Sequence, residues 1–108
     1  MKLKVNKTIN IIECTTKKQR FKTFKFFLNP IDFGLYIPKK KLANTYFFCQ
    51  RIDICFVNKD NIIIGLYENV KSEKLIYKRK AKGIYFLPLG TCQYLKIGKE
   101  IPIVKEKE

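Results

Sequence analysis

The sequence predicts one small, mostly β (α+β) domain, and three observations predict it. The chain has 108 residues, the size of a single domain with one independent core and too short for two. Its 46% hydrophobic share is carried by Ile, Leu, Phe and Tyr, with little Ala or Gly, which suits pleated, half-buried surfaces better than long helices. Its apolar residues recur mainly in short runs with a period of two, separated by Asn, Asp, Gly and Pro.

Leu3 and Val5, then Ile9 and Ile11, keep that period and read as one or two half-buried strands broken near Asn6 to Thr8. Thr16 and Gln19 have the spacing of a capping box, and Phe21, Phe24 and Leu28 follow near helical spacing. The spacing predicts one short N-terminal helix from about Thr16 to about Phe24, its lysine face solvated rather than laid on a membrane. Asn29-Pro30 and Gly34 mark turns, Pro38 closes the segment Leu35 to Ile37, and Lys39, Lys40 and Lys41 form a solvated loop.

Thr45 to Val57 is the most strand-like stretch. Ile52, Ile54 and Phe56 point to one face, and Asp53, Cys55 and Val57 to the other, so a buried Asp53 needs hydrogen bonds. Asn58 to Asn61 separates this strand from a partner, Ile62 to Tyr67, with Asn or Asp in the left-handed position of the turn. A polar connection, Glu68 to Lys74, leads to a short strand, Leu75 to Tyr77. The basic loop from Lys78 to Lys82 precedes the strand Ile84 to Leu87, which Pro88 and Gly90 end. A single turn at Cys92 to Leu95 and a tight turn at Gly98 lead into a last strand, Ile101 to Val104, and residues 105–108 form a frayed tail.

Composition narrows the chemistry. The formal charge is +14, which points to nucleic acid, an acidic partner or an anionic surface. Yet of the 23 basic residues only Arg20, Arg51 and Arg79 are arginines, and the chain is rich in Ile and Asn. That is also the profile of an AT-rich genome drifting toward Lys codons, so the charge has a bland origin as well as a functional one. There is no His and no C-x-x-C among Cys14, Cys49, Cys55 and Cys92, so no metal or cofactor site is expected, and the cysteines read as reduced packing residues. With Ser72 the single serine, the usual nucleophile and base pairings are missing. Paired carboxylates reduce to Asp53 with Asp32 or Glu13. No catalytic residue is expected. Nothing in the chain resembles an export signal or a membrane span, so the expected location is cytoplasmic.

The segment Ile52-Asp53-Ile54-Cys55-Phe56-Val57 with its turn, then Tyr85-Phe86-Leu87-Pro88-Leu89-Gly90, then Leu95-Lys96-Ile97-Gly98-Lys99, resembles in order and spacing the domain of unknown function 192 family. Arg20 to Phe24 is similar to that family's Arg-x-x-Gly step, and Asn44-Thr45-Tyr46-Phe47-Phe48 to its His-Thr-x-Phe-Met segment. The resemblance spans most of residues 1–108 and implies a partly closed β barrel of mixed strands with a short helix. Thr23, Asn44, Phe48, Phe86 and Lys99 depart from the family's Gly, His, Met, Glu and Asp, whereas Arg20, Asp53, Pro88, Gly90 and Gly98 persist. The family carries no established activity to transfer.

Asp53, Arg20, Arg51 and Asn44 are therefore the candidate structural or ligand-binding residues. For Asp53 the expected role is to cap backbone N–H groups or to pair with Arg20 or Arg51. Lys39, Lys40, Lys41, Lys78, Arg79 and Lys80 are the candidate anion-binding residues; the stretches Lys39 to Lys41 and Lys78 to Lys82, with Tyr46, Tyr77 and Tyr85 near them in sequence, make a candidate basic groove with stacking platforms of the kind single-strand-binding barrels use, although most aromatics alternate into the core. The expected function is a non-catalytic binding or accessory domain. The alternative is sequence-tolerant binding of nucleic acid or another polyanion, and a third reading places a small anionic ligand or a protein segment at the barrel mouth beside Lys40, Arg51 and Arg79.

Overall fold

The computed structural model describes residues 2–13, 33–45, 51–71 and 73–104. The expected helix from Thr16 to Phe24, with Arg20, Cys14, Asp32, Tyr46, Cys49, Ser72 and the tail 105–108, lies outside the described residues.

The described chain is mostly β, as the apolar spacing requires. Nine strands are present: β1 Lys2–Lys4, β2 Thr8–Glu13, β3 Phe33–Pro38, β4 Leu42–Asn44, β5 Ile52–Val57, β6 Ile63–Val70, β7 Leu75–Tyr77, β8 Gly83–Leu87 and β9 Ile103–Val104. Seven form a sheet in the order β6-β5-β8-β3-β2-β1-β9, and β4 pairs with β7 in a separate ribbon. The sheet is mixed: β2 and β3 run parallel, while the other pairs are antiparallel. The parallel step needs close approach at Gly34, where an added Cβ would lie 2.7 Å from Ile11 Cδ1 and 3.0 Å from the Phe86 carbonyl.

One expectation is corrected. The sheet curls into a half-barrel that stays open, where a partly closed barrel was expected. Its two edge strands, β6 and β9, form no ladder with each other; across the gap Ile62 bridges Glu100, and backbone bonds join Ile63 to Gly98 and Lys99 and Ile101 to Asn61. A two-residue β9 that follows Pro102, which has no N–H, cannot extend a ladder along β6.

Alternation along the central strands separates two cores. Ile54 and Phe56 of β5, Ile84 and Phe86 of β8, and Leu35 and Ile37 of β3 join one, together with Ala43 and partly buried Ile76 of the ribbon. Cys55, Val57, Tyr85 and Leu87 join the other, with Leu3, Ile9, Ile11, Ile63, Leu95 and Ile101. Strands β5 and β8 are buried on both faces, and each buried Ile, Leu or Phe contributes about 1.5–3 kcal/mol. The ribbon covers one side of the sheet, and this placement decides where the basic loops lie.

The predicted turns are built as their residues suggest. Asn58 Oδ1 accepts from the N–H groups of Asp60 (2.9 Å) and Ile62 (3.0 Å), and Asn61 takes the left-handed conformation at φ 60°. The turn near Cys92 is a 3-10 turn over Thr91–Tyr94. Among the described residues no helix is long and apolar enough to cross a membrane.

Candidate functional site

Two places collect the residues singled out by the sequence. They lie toward opposite ends of β5, roughly 13 Å apart along the strand at ~3.3 Å per residue.

At the start of β5, Asp53 is fully buried. Its Oδ1 accepts from the Asn69 N–H at 3.0 Å. Its Oδ2 accepts from the N–H groups of Gly90 at 3.0 Å and Cys92 at 2.9 Å. A carboxylate serving three backbone donors is a charge-assisted cap, the first of the two roles expected for it. It ties β5 to β6 and to the 3-10 turn. Gly90 reaches the carboxylate at φ 92°, a region glycine enters without strain. Buried Cys92 places its Sγ 3.7 Å from the Ile54 carbonyl, and burial pushes its thiol well above the ordinary value. Burial likewise pushes the Cys55 thiol up to about 12, so both read as packing residues. A shallow, open depression of about 340 Å³ lies outside, lined by Asp53, Glu68, Asn69, Leu89, Gly90 and Gln93. Asp53 Oδ1 and Oδ2 both accept from backbone N–H groups, so the carboxylate fastens the rim of this depression. Arg51 is exposed just before β5, and Asn44 is exposed on β4, opposite Leu75.

Thr45 explains a further part of the sequence pattern. Its buried hydroxyl accepts from the Lys74 N–H at 2.8 Å and faces the carbonyls of Lys71 (2.9 Å) and Lys74 (3.2 Å). Its backbone N–H donates to the Lys74 carbonyl at 2.9 Å. Thr45 thus pins the connection that leads into β7. Sequence reading noticed the residue without its role, because its partners lie more than 25 positions away.

At the far end of β5 the two basic loops are brought together. The Lys39 N–H donates to the Lys82 carbonyl, the Lys78 N–H to the Lys41 carbonyl, each at 2.9 Å, and the Lys82 N–H to Val57 at 2.8 Å. Lys41 Nζ donates to the Arg79 carbonyl at 2.7 Å. Desolvation first, then the neighbouring Lys82 and Arg79, holds the Lys41 ammonium below the usual lysine value. The charges acting on Lys41 are both cations, the arrangement that an anion would relieve. Lys39, Arg79, Lys80 and Lys82 are exposed around it, and Lys40 is half-buried. Lys78 Nζ lies 5.4 Å from the centroid of the Tyr67 ring, and its side chain passes over Gly65, a contact of cation–π type. Lys82, the last residue of the basic stretch that begins at Lys78, belongs to the cluster.

Of the aromatics expected beside these loops, Tyr85 is corrected. It is 2% exposed and stacks on Tyr36 with ring centroids 4.5 Å apart. Its strand, β8, is covered on both faces, so the ring turns into the core. Tyr77 alone of the described candidates faces outward, 62% exposed.

This architecture is found elsewhere. A protein of unknown function from Novosphingobium aromaticivorans DSM 12444 superposes with a TM-score of 0.73 at 14% identity, over 87% of this chain and 74% of that one. A "putative transcription regulator" from Sinorhizobium meliloti 1021 superposes with a TM-score of 0.70 at 16% identity, over 89% of this chain and 84% of that one. At such identities the likeness is one of fold. No protein-family model matches the sequence, and no curated protein matches it.

Proposed function

We propose that the chain is a non-catalytic binding domain, a divergent member of the domain of unknown function 192 family, which takes a polyanion on its two joined basic loops. The observation that carries the binding surface is the convergence of Lys39 to Lys41 with Arg79 to Lys82, which the Lys41 Nζ contact to the Arg79 carbonyl fastens. Loops nearly forty residues apart in sequence present their cations on one edge, with neighbouring charges of the same sign. Such a cluster attracts phosphates by releasing their counterions, without reading sequence.

Support for the family reading comes from Asp53. Asp53 and Gly90, which persist from the family pattern, meet in one hydrogen bond, and Thr45, from the His-Thr segment, holds a loop. Support for a non-catalytic role is that the strongest candidate carboxylate is spent on backbone donors and that the chain has no His. The name of the Sinorhizobium neighbour is compatible with a nucleic-acid partner.

The test is fluorescence anisotropy of labelled single-stranded and duplex oligonucleotides, titrated from low to near-physiological salt. With three to five phosphates engaged, the logarithm of the binding constant falls against log salt with a slope of about −2 to −4. Binding that vanishes before near-physiological salt contradicts the proposal and leaves the lysines as a solvated coat.

A further inference from the structure

The ribbon of β4 and β7 has two unlike faces. Ala43 and Ile76 turn toward the core, whereas Leu42 (44% exposed), Leu75 (57%) and Tyr77 (62%) turn out. Register sets Leu42 opposite Tyr77 and Asn44 opposite Leu75, so the outward side chains of directly opposed residues sit about 5 Å apart at Cβ. One step beyond the Leu42–Tyr77 pair, the Lys78 N–H donates to the Lys41 carbonyl, and the ribbon runs straight into the cationic loops. Tyr77, flanked by aliphatic side chains and adjoining Lys41, Arg79 and Lys82, thus sets an exposed aromatic face beside cations on one edge.

We propose that this outward face is a stacking platform for the bases of a single-stranded nucleic acid, whose phosphates rest on Lys41, Arg79 and Lys82. The inference rests on the polyanion reading and names the polyanion. Charge complementarity selects a phosphate-bearing strand, and the ring beside it selects one whose bases are unpaired. A duplex hides the flat faces of its bases and gains nothing from Tyr77, and an acidic peptide satisfies the lysines without needing the ring. Arginine is scarce, which removes the bidentate contacts that read guanine, so the platform accepts any base.

The experiment compares labelled oligothymidine, a duplex of the same length, inorganic polyphosphate and polyglutamate as ligands of the full chain at near-physiological salt. The wild type binds oligothymidine more tightly than the other three. Tyr77→Ala weakens oligothymidine binding roughly 5- to 100-fold, leaves polyphosphate binding unchanged, and melts as the wild type does, because the ring is mostly outside the core. Tyr77→Phe restores the stacking. If Tyr77→Ala holds oligothymidine as tightly as the wild type, or polyglutamate binds equally well, the platform is overturned and the polyanion surface stands. If neither oligothymidine nor polyphosphate binds, both readings fall together.

Discussion

At the scale of single residues, Asp53 decides how the chemistry of this chain is read. Its carboxylate is fully buried yet receives three backbone N–H groups, so its removal leaves three donors unsatisfied, one on β6 and two in the 3-10 turn. Asp53→Asn keeps the size but loses the charge and turns an amide N–H₂ toward one of those donors. The expected cost is about 2–3 kcal/mol, read as a fall in melting temperature of roughly 8–15 °C. An unchanged melt would mean that the carboxylate is not a fastener. Thr45→Val removes the hydroxyl that pins the connection before β7 and is expected to cost about 1–2 kcal/mol, measured by urea unfolding. The buried thiols add a pH dependence. Burial raises Cys55 from 9.0 to about 12 and raises Cys92 further, so the folded chain keeps protons that the unfolded chain releases. Their contribution is intact below pH 9 and is lost as pH climbs from about 9 through 12. Stability measured across that range should fall, and Cys55→Ala should flatten the fall; equal slopes in both proteins would contradict the assignment.

At the scale of elements, the strands were legible where a sequence signal is local. The alternation around Asp53, the asparagine turn and the partner strand correspond to β5 and β6, and Leu75 to Tyr77 is β7 to the residue. The strand β4 was not anticipated, because Leu42–Asn44 is too short to show a period beside Lys39 to Lys41. The parallel pairing of β2 with β3 was equally invisible, since it joins residues separated by a long segment and is enforced by the missing side chain of Gly34. Gly34→Ala would press a methyl group against Ile11, Leu87 and the Phe86 carbonyl. It should destabilise the fold by about 1–3 kcal/mol, whereas a neutral effect would mean the strands can part without cost. The candidate site was legible as two separate basic stretches. A shared groove was a candidate reading, but the contacts that build it were not legible, because they are backbone bonds between the ends of β3, β4, β5 and β7.

At the scale of the whole molecule, a net charge of +14 on 108 residues is self-repelling, and the cluster around Lys41 concentrates that repulsion. Screening therefore stabilises the fold, and the melting temperature should rise as sodium chloride increases from low to near-physiological strength; a melt independent of salt would mean the charges are too dispersed to matter. The curled sheet places Asp53 and the basic loops toward opposite ends of β5, so binding and stability are separable by mutation. The decisive measurement is the oligonucleotide affinity of Arg79→Glu with Lys82→Glu at near-physiological salt, compared with wild type and with a double reversal at exposed Lys4 and Lys7, which lie on and after β1 at the other end of the sheet. The account predicts that binding is lost at the loops and largely kept in the distant control, with both variants folded. Equal losses in the two variants would show that net charge alone attracts the ligand, and would contradict a binding surface built by the joined loops.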